Sequence, residues 1–294
     1  MEDYVIRATA AEGTVRAVAA ITTNMVKDAM NVHGLSPLAS VALGRTMTAA
    51  SLMSTFLKGE KDTLTLQIKG DGPLGGIVVV SDSSANIRGY VYNPLVYLPL
   101  KENGKYDVAG AIGEGYLNVI RDLGLKEPYI GYVDLLSGEI AEDLTYYFAS
   151  SEQIPSVVSL GVLTNAEEFI LCSGGFIIQL MPGAEEDTIS LIEEKIIGLP
   201  SVTKLLSEGK TVEDILELIL GDMNLKIGEK TSCKYKCNCS RERMERNLMA
   251  LGKKEIVSLV EDQHGAETEC HFCKSKYQFT EEELLALIDD GSSI

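Results

Sequence analysis

Five of the six cysteines fall in the last quarter of the chain, at Cys233, Cys237, Cys239, Cys270 and Cys273, with Cys172 alone upstream. Cys237-Asn238-Cys239 and Cys270-His271-Phe272-Cys273 form two close pairs, separated by residues 240–269. Each pair can supply two thiolates from a tight turn, and together they make the donor set of a tetrahedral zinc site. The C-x-x-C half is a common knuckle; the C-x-C half is rarer and makes the combination more specific. A secreted disulfide scaffold would spread its cysteines along a short chain, so one tight cluster points to metal or redox chemistry. Taken alone, the C-x-x-C motif would also suit a thioredoxin-type enzyme. That chemistry sets its first Cys at a helix N-terminus, whereas Cys273 runs into the strand-like Lys274-Ser-Lys-Tyr-Gln-Phe279. Around the first pair, Lys230 to Lys254 holds eight bases and only Glu242 and Glu245 as acids. This patch is expected to offset the thiolate charge and to lower the thiol pKa.

The other reactive side chains read as structural. Cys233 lies outside the paired spacing and is a bystander, and Cys172 follows Ile170-Leu171 as a small core residue. His271 and His264 are expected to be solvated, and His33 to act as a charge or cap at a helix C-terminus. Met25, Met30, Met47 and Met53 could form an adaptable binding surface, but packing of two amphipathic helices is the simpler account. Glu139, Glu142 and Asp143 are expected in the first turn of one helix, where acids serve the dipole without catalysis. Gly70-x-Gly72 and Gly75-Gly76 match no P-loop or dinucleotide spacing, which disfavours nucleotide binding.

The elements that must position the cysteines divide the chain into three parts. Residues 1–181 read as a mixed domain, with strands at Tyr4–Ala8, Val15–Ala19, Leu64–Lys69, Ile77–Ser81, Ile87–Tyr92, Tyr129–Leu135, Val157–Leu163 and Phe169–Leu180. Helices are expected at Thr23–Val32, from Ser36-Pro37 to about Leu57, and at Glu139–Ser150. Strands outnumber helices and do not alternate with them, so the class is α+β. Residues 182–232 read as a linker of three short helices, Glu185–Ile197, Ser201–Ser207 and Val212–Leu220, broken by Gly198, Pro200, Gly209 and Gly221. Helices this short need a surface on which to dock stripes such as Ile189, Ile192 and Ile196, or Ile215, Leu216 and Ile219. Residues 233–294 form a small C-terminal unit, with helices near 241–251 and 253–261 and a last helix capped by Thr280-Glu-Glu-Glu283.

Composition bounds the function. The 294 residues are 45% hydrophobic, enough for a sizeable core, and 43 acids against 26 bases give a net charge of −17. A chain this acidic is repelled by phosphate backbones, so nucleic acid is a poor partner. The opening Met1-Glu2-Asp3-Tyr4 is not a secretory signal and the apolar runs are too short to span a bilayer, so a cytoplasmic location without membrane partners is expected.

The paired cysteines, Ser151-Glu-Gln-Ile-Pro-Ser156, Val108-Ala-Gly-Ala-Ile-Gly113, and Ser173-Gly-Gly-Phe176 with Gln179 together resemble the 33 kDa chaperonin family across essentially the whole chain. The resemblance implies a redox-regulated, ATP-independent holdase chaperone, not an enzyme, that protects unfolding client proteins under oxidative stress. It implies one zinc per chain, held by Cys237, Cys239, Cys270 and Cys273 in the reduced, inactive form. On oxidation Cys237 would pair with Cys239 and Cys270 with Cys273, zinc would be released, and the active form would be a homodimer. A Cys-x-Cys disulfide closes a very small ring and should be readily reduced, which suits a reversible switch. Two rivals are an N-terminal enzyme with the tail as permanent scaffold, for which no acid–base constellation is visible, and a zinc-ribbon nucleic-acid binder, supported only by the basic patch.

Overall fold

A computed structural model describes residues 2–165 and 170–290 and divides into two compact units, Met1–Lys236 and Cys237–Ile294. The first unit opens with β1 (Tyr4–Ala10), β2 (Val15–Ile21), α1 (Thr23–His33), α2 (Pro37–Ser54), β3 (Thr63–Gly70), β4 (Gly76–Asp82) and β5 (Asn86–Val91). It continues through α3 (Val108–Ile112), β6 (Gly115–Asp122), β7 (Tyr129–Asp134), α4 (Ala141–Ser150), β8 (Ser156–Leu163) and β9 (Cys172–Leu180). Then come α5 (Glu186–Ile197), α6 (Val202–Ser207), α7 (Val212–Leu220), β10 (Lys226–Ser232) and β11 (Lys234–Tyr235). The expected strand start at Phe169 lies outside the described residues.

Two sheets carry this unit. One has five antiparallel strands in the order β10-β1-β2-β9-β8; the other has six in the order β11-β5-β4-β3-β6-β7, with β11 parallel to β5. Helix α2 packs against strands of both sheets, and almost every residue from Leu38 to Ser54 is buried. Its start follows from Ser36, whose Oγ accepts from the Ala39 amide, and from Pro37 in the first turn. Met25, Met47 and Met53 are fully buried and Met30 is half-buried against the same core, so these residues are packing, as expected.

The opposite face of the five-stranded sheet carries a second apolar layer. Tyr4, Ile6, Ala17, Ala19, Phe176 and Ile178 meet Val202, Leu205, Val212, Ile215, Leu216, Ile219 and Leu220 from α6 and α7. Close approach explains two glycines there. A Cβ at Gly161 would meet Thr203 Cγ2 at 2.4 Å, and one at Gly174 would meet Leu206 Cδ1 at 2.8 Å. Helix α5 is held less firmly: Ile192 alone is fully buried, Ile189 and Ile196 are half-buried, and Ile197 is 86% exposed. The apolar stripe therefore docks mainly through α6 and α7, not evenly along the three helices.

Several details differ from the sequence expectation. Strand β6 and helix α3 were not foreseen. Residues 226–235, expected to end the linker and begin the C-terminal unit, instead form β10 and β11, so the compact first unit extends to Lys236. The reason is backbone pairing: β10 is exposed at every residue, yet its amides and carbonyls complete the β1 edge. Helix α4 begins at Ala141, leaving Glu139 before it in ion pairs with Arg45 (2.7 Å) and Lys101 (2.5 Å). Asp143 accepts from the backbone amides of Leu136, Ser137, Gly138 and Ile140, tying down that turn.

Candidate metal centre

In the second unit, α8 (Arg241–Leu251) and α9 (Lys253–Gln263) precede the antiparallel pair β12 (Gly265–Glu269) and β13 (Lys276–Thr280), and α10 (Glu281–Asp290) closes it. Ser240 caps α8 by accepting from the Arg243 amide at 3.3 Å. Thr280 and Glu283 cap α10 reciprocally, the Thr280 amide donating to Glu283 and the Glu283 amide to Thr280 Oγ1. The turn between β12 and β13 is the Cys270–Cys273 knuckle. The Lys274 amide donates to the Cys270 carbonyl at 2.8 Å and the Cys270 amide to the Ser275 carbonyl at 2.9 Å. Arg243 Nη1 donates to Asn238 Oδ1 at 2.9 Å, fixing the middle of the Cys237–Cys239 turn from the first turns of α8.

These turns bring the sulfurs of Cys237, Cys239, Cys270 and Cys273 within 4.8 Å of one another. Two close approaches run across the motifs, 3.7 Å from Cys237 to Cys270 and 3.3 Å from Cys239 to Cys273. Four sulfurs at about 2.3 Å from one ion stand about 3.8 Å apart on the edges of a tetrahedron, so the cluster has the size of a Cys₄ metal site. Soft thiolates, half to fully buried, suit zinc. The second unit's core is small, consisting of Met244, Leu248, Ile256, Cys270, Phe279, Leu284 and Ile288. A domain of this size gains much of its stability from a bound ion or cross-link.

Electrostatics distinguish three of the thiols. Burial pushes Cys237 and Cys270 upward. Burial also opposes ionisation of Cys273, but hydrogen bonds from Ser275 and the neighbouring sulfurs outweigh it and hold that thiol down at about 7. Tyr277 Oη lies 3.1 Å from Cys239 Sγ and can donate to it. The basic patch is arranged differently from expectation. Lys230, Lys234 and Lys236 belong to the first unit, and Lys230 pairs with Glu213 at 2.7 Å. Arg241 lies over the Phe279 ring and reaches Glu283 at 2.6 Å. Strand pairing ties Lys230 into the five-stranded sheet and Lys234 into the six-stranded sheet.

The remaining reactive residues do not belong to the four-thiol cluster. Cys233 is buried in the first unit, where burial pushes its thiol up to about 12. Cys172 is buried and donates its thiol to the Thr203 carbonyl of α6 at 3.4 Å. His264 caps α9 in the left-handed conformation and meets Glu281 at 2.8 Å; His271 is exposed in the knuckle. His33 ends α1 and meets Tyr235 Oη at 2.9 Å. Glu152, Gln179 and Ser156 prove structural: Glu152 pairs with Arg121 at 2.7 Å, while Gln179 accepts from Arg16 and donates to Ser156.

A two-sheet α+β unit overlaid by short helices, followed by a small unit built around four clustered thiols, defines a protein with a metal-competent thiol centre outside its main core. The chain belongs to the Hsp33 protein family, whose model matches residues 3–280. It is 67% identical to the 33 kDa chaperonin of Acetivibrio thermocellus over 288 residues, covering 98% of this chain and 97% of that one. It is 61% identical to the 33 kDa chaperonin of Ruminiclostridium cellulolyticum, covering 99% of each. The crystal structure of the Thermotoga maritima 33 kDa chaperonin superposes with a TM-score of 0.92 at 42% identity, covering all of both chains. Among the described residues no helix is long and apolar enough to cross a membrane.

Proposed function

We propose that this chain is a redox-regulated, ATP-independent holdase chaperone of the cytoplasm that captures unfolding proteins. The observation that carries the reading is the pairing of a four-thiol cluster in a small unit with an apolar sheet face covered by short helices. While reduced, Cys237, Cys239, Cys270 and Cys273 would hold zinc, which supplies folding free energy to the second unit. Cys273, whose ionisation is favoured by hydrogen bonds from Ser275 and the neighbouring sulfurs, can attack an oxidant as its thiolate. Its thiolate gives two electrons to a peroxide, becoming a sulfenic acid, and Cys270 then displaces water from that sulfur to form a disulfide. Cys237 and Cys239 follow with a second peroxide, so four thiols are consumed and two disulfides formed.

Without its four ligands the second unit loses its centre and unfolds. β10 and β11 lead directly into Cys237, so the hold of β10 on β1 and of β11 on β5 weakens, and α5–α7 follow them off. The bared face, including Phe176 and Ile178, then meets client chains, and a second copy covers part of it to give the active homodimer. Capture needs no group transfer and no nucleotide, and so no catalytic residue. The test is suppression of aggregation of a heat-unfolded client, with zinc measured in parallel. Reduced protein should contain one zinc and be inactive, and peroxide with mild warming should release zinc and produce activity. Reduced, zinc-loaded protein that is already fully active would overturn the reading.

A further inference from the structure

A cavity of about 710 Å³ opens between the end of α2 and the sheet edge formed by β2, β1 and β10. Its size falls within the range of small-molecule sites. Arg7, Arg16, Lys58 and Lys226 line it, and no Asp or Glu does among the described residues. The row is set by strand register: Thr9 lies opposite both Lys226 of β10 and Arg16 of β2, and Arg7 is two residues away on the same face. None of the four cations has a carboxylate at ion-pair distance among the described residues. In a chain with 43 acids against 26 bases, four unneutralised cations around one cavity are out of keeping with the rest of the surface.

Two of them are already oriented. Arg7 donates to the Thr55 carbonyl at the end of α2. Arg16 is held by Gln179 through Nε and Nη2 and lies over the Phe56 ring at 4.4 Å. Each guanidinium retains donors beyond these contacts. Burial, Arg7 and Arg121 all press the Arg16 pKa downward, the mark of positive charge gathered without a counter-charge. With Arg16 on one face of Phe56, the cavity is better suited to a compact charged ligand than to stacking a flat ring.

We propose that this cavity binds a small polyanion bearing phosphate groups, gripped by Arg16 and Arg7 on one side and Lys226 on the other. Guanidinium forks match phosphate oxygens, and the flexible ammonium groups of Lys58 and Lys226 close around the remaining charge. Because Lys226 is the first residue of β10, the bound anion would also fasten that exposed edge strand to β1 and β2.

Calorimetric titration of pyrophosphate into the reduced, metal-loaded full chain, with metal release followed in the same samples, tests the site. Binding is expected, together with slower hydrogen exchange over residues 226–232. Arg16→Gln and Lys226→Gln should each weaken it about tenfold or more, as loss of a charge-assisted hydrogen bond requires. Lys226 is exposed, so its variant keeps the fold, and Lys226→Arg should restore affinity. Lys253→Gln with Lys254→Gln, in the second unit, should bind as the parent does. No binding at millimolar pyrophosphate, unchanged affinity in Lys226→Gln, loss of binding in the Lys253/Lys254 variant, or heat that tracks metal release would overturn the proposal.

Discussion

Replacing Leu216 with Ala should turn on chaperone activity without any oxidant. Leu216 is fully buried in α7, within the apolar layer that covers the outer face of the five-stranded sheet. Truncating a buried Leu to Ala costs about 2–5 kcal/mol, through lost transfer free energy and the cavity left behind. At about 1.4 kcal/mol per factor of ten, the ratio of covered to uncovered sheet falls roughly 30-fold to several thousand-fold. A switch that mild stress can throw is biased by only a few kcal/mol, so this change is enough to make the uncovered form dominant. The main core on the other face of the sheet, built around α2, is a separate cluster and should survive. The assay is light scattering from a heat-unfolded client with reduced, zinc-loaded Leu216→Ala protein. Ile197→Ala, at a position 86% exposed, serves as the matched control and should stay inactive until oxidised. If reduced Leu216→Ala leaves aggregation unchanged while hydrogen exchange shows residues 202–220 released, covering of the sheet by these helices does not regulate activity.

Cys172 should report helix release directly, because its buried thiol donates to the Thr203 carbonyl of α6. Alkylation should be slow in reduced protein and at least tenfold faster in Leu216→Ala, and equal rates would contradict the docking model. Removing the metal under reducing conditions should unfold the second unit while leaving the first unit's cooperative melt in place; retention of the helical signal of α8–α10 without metal would refute the dependence on the thiol centre. Burial raises Cys233 from its ordinary value of 9.0 to about 12. Its contribution to stability is therefore complete below pH 9 and lost as the pH rises toward 12. Cys233→Ala should flatten that alkaline loss in a chemical-denaturation series of the first unit, and an unchanged slope would show that this thiol does not titrate on unfolding.

How much of this was legible in the sequence depended on whether the signal was local. The start of α2 was readable from Ser36-Pro37, and the thiol cluster from two short spacings, because ligands in tight turns stay close whatever the rest of the chain does. Strand β6 carried the alternation of a half-buried strand, with Leu117 and Val119 turned inward between half-buried neighbours, and was passed over. Strand β10 had no such pattern, since Lys226–Ser232 is exposed throughout and is a strand only because β1 offers it an edge. Together with β11 it ties Lys230 and Lys234 into the sheets of the first unit and carries that unit to Lys236. The linker helices were recognisable as amphipathic, but their unequal docking rests on small residues elsewhere, such as Gly161 and Gly174, which let α6 approach β8 and β9.

The central claim is that the state of four thiols in the second unit controls whether α5–α7 and β10 stay on the first sheet. Hydrogen exchange of peptides spanning residues 186–232 tests it most directly, measured on reduced, zinc-loaded protein and on peroxide-treated protein in the same samples that are scored for client protection. Protection of α6, α7 and β10 should be high in the reduced form and fall in step with the appearance of activity, while α2 remains protected in both. Activity that appears with residues 186–232 still fully protected would contradict the account.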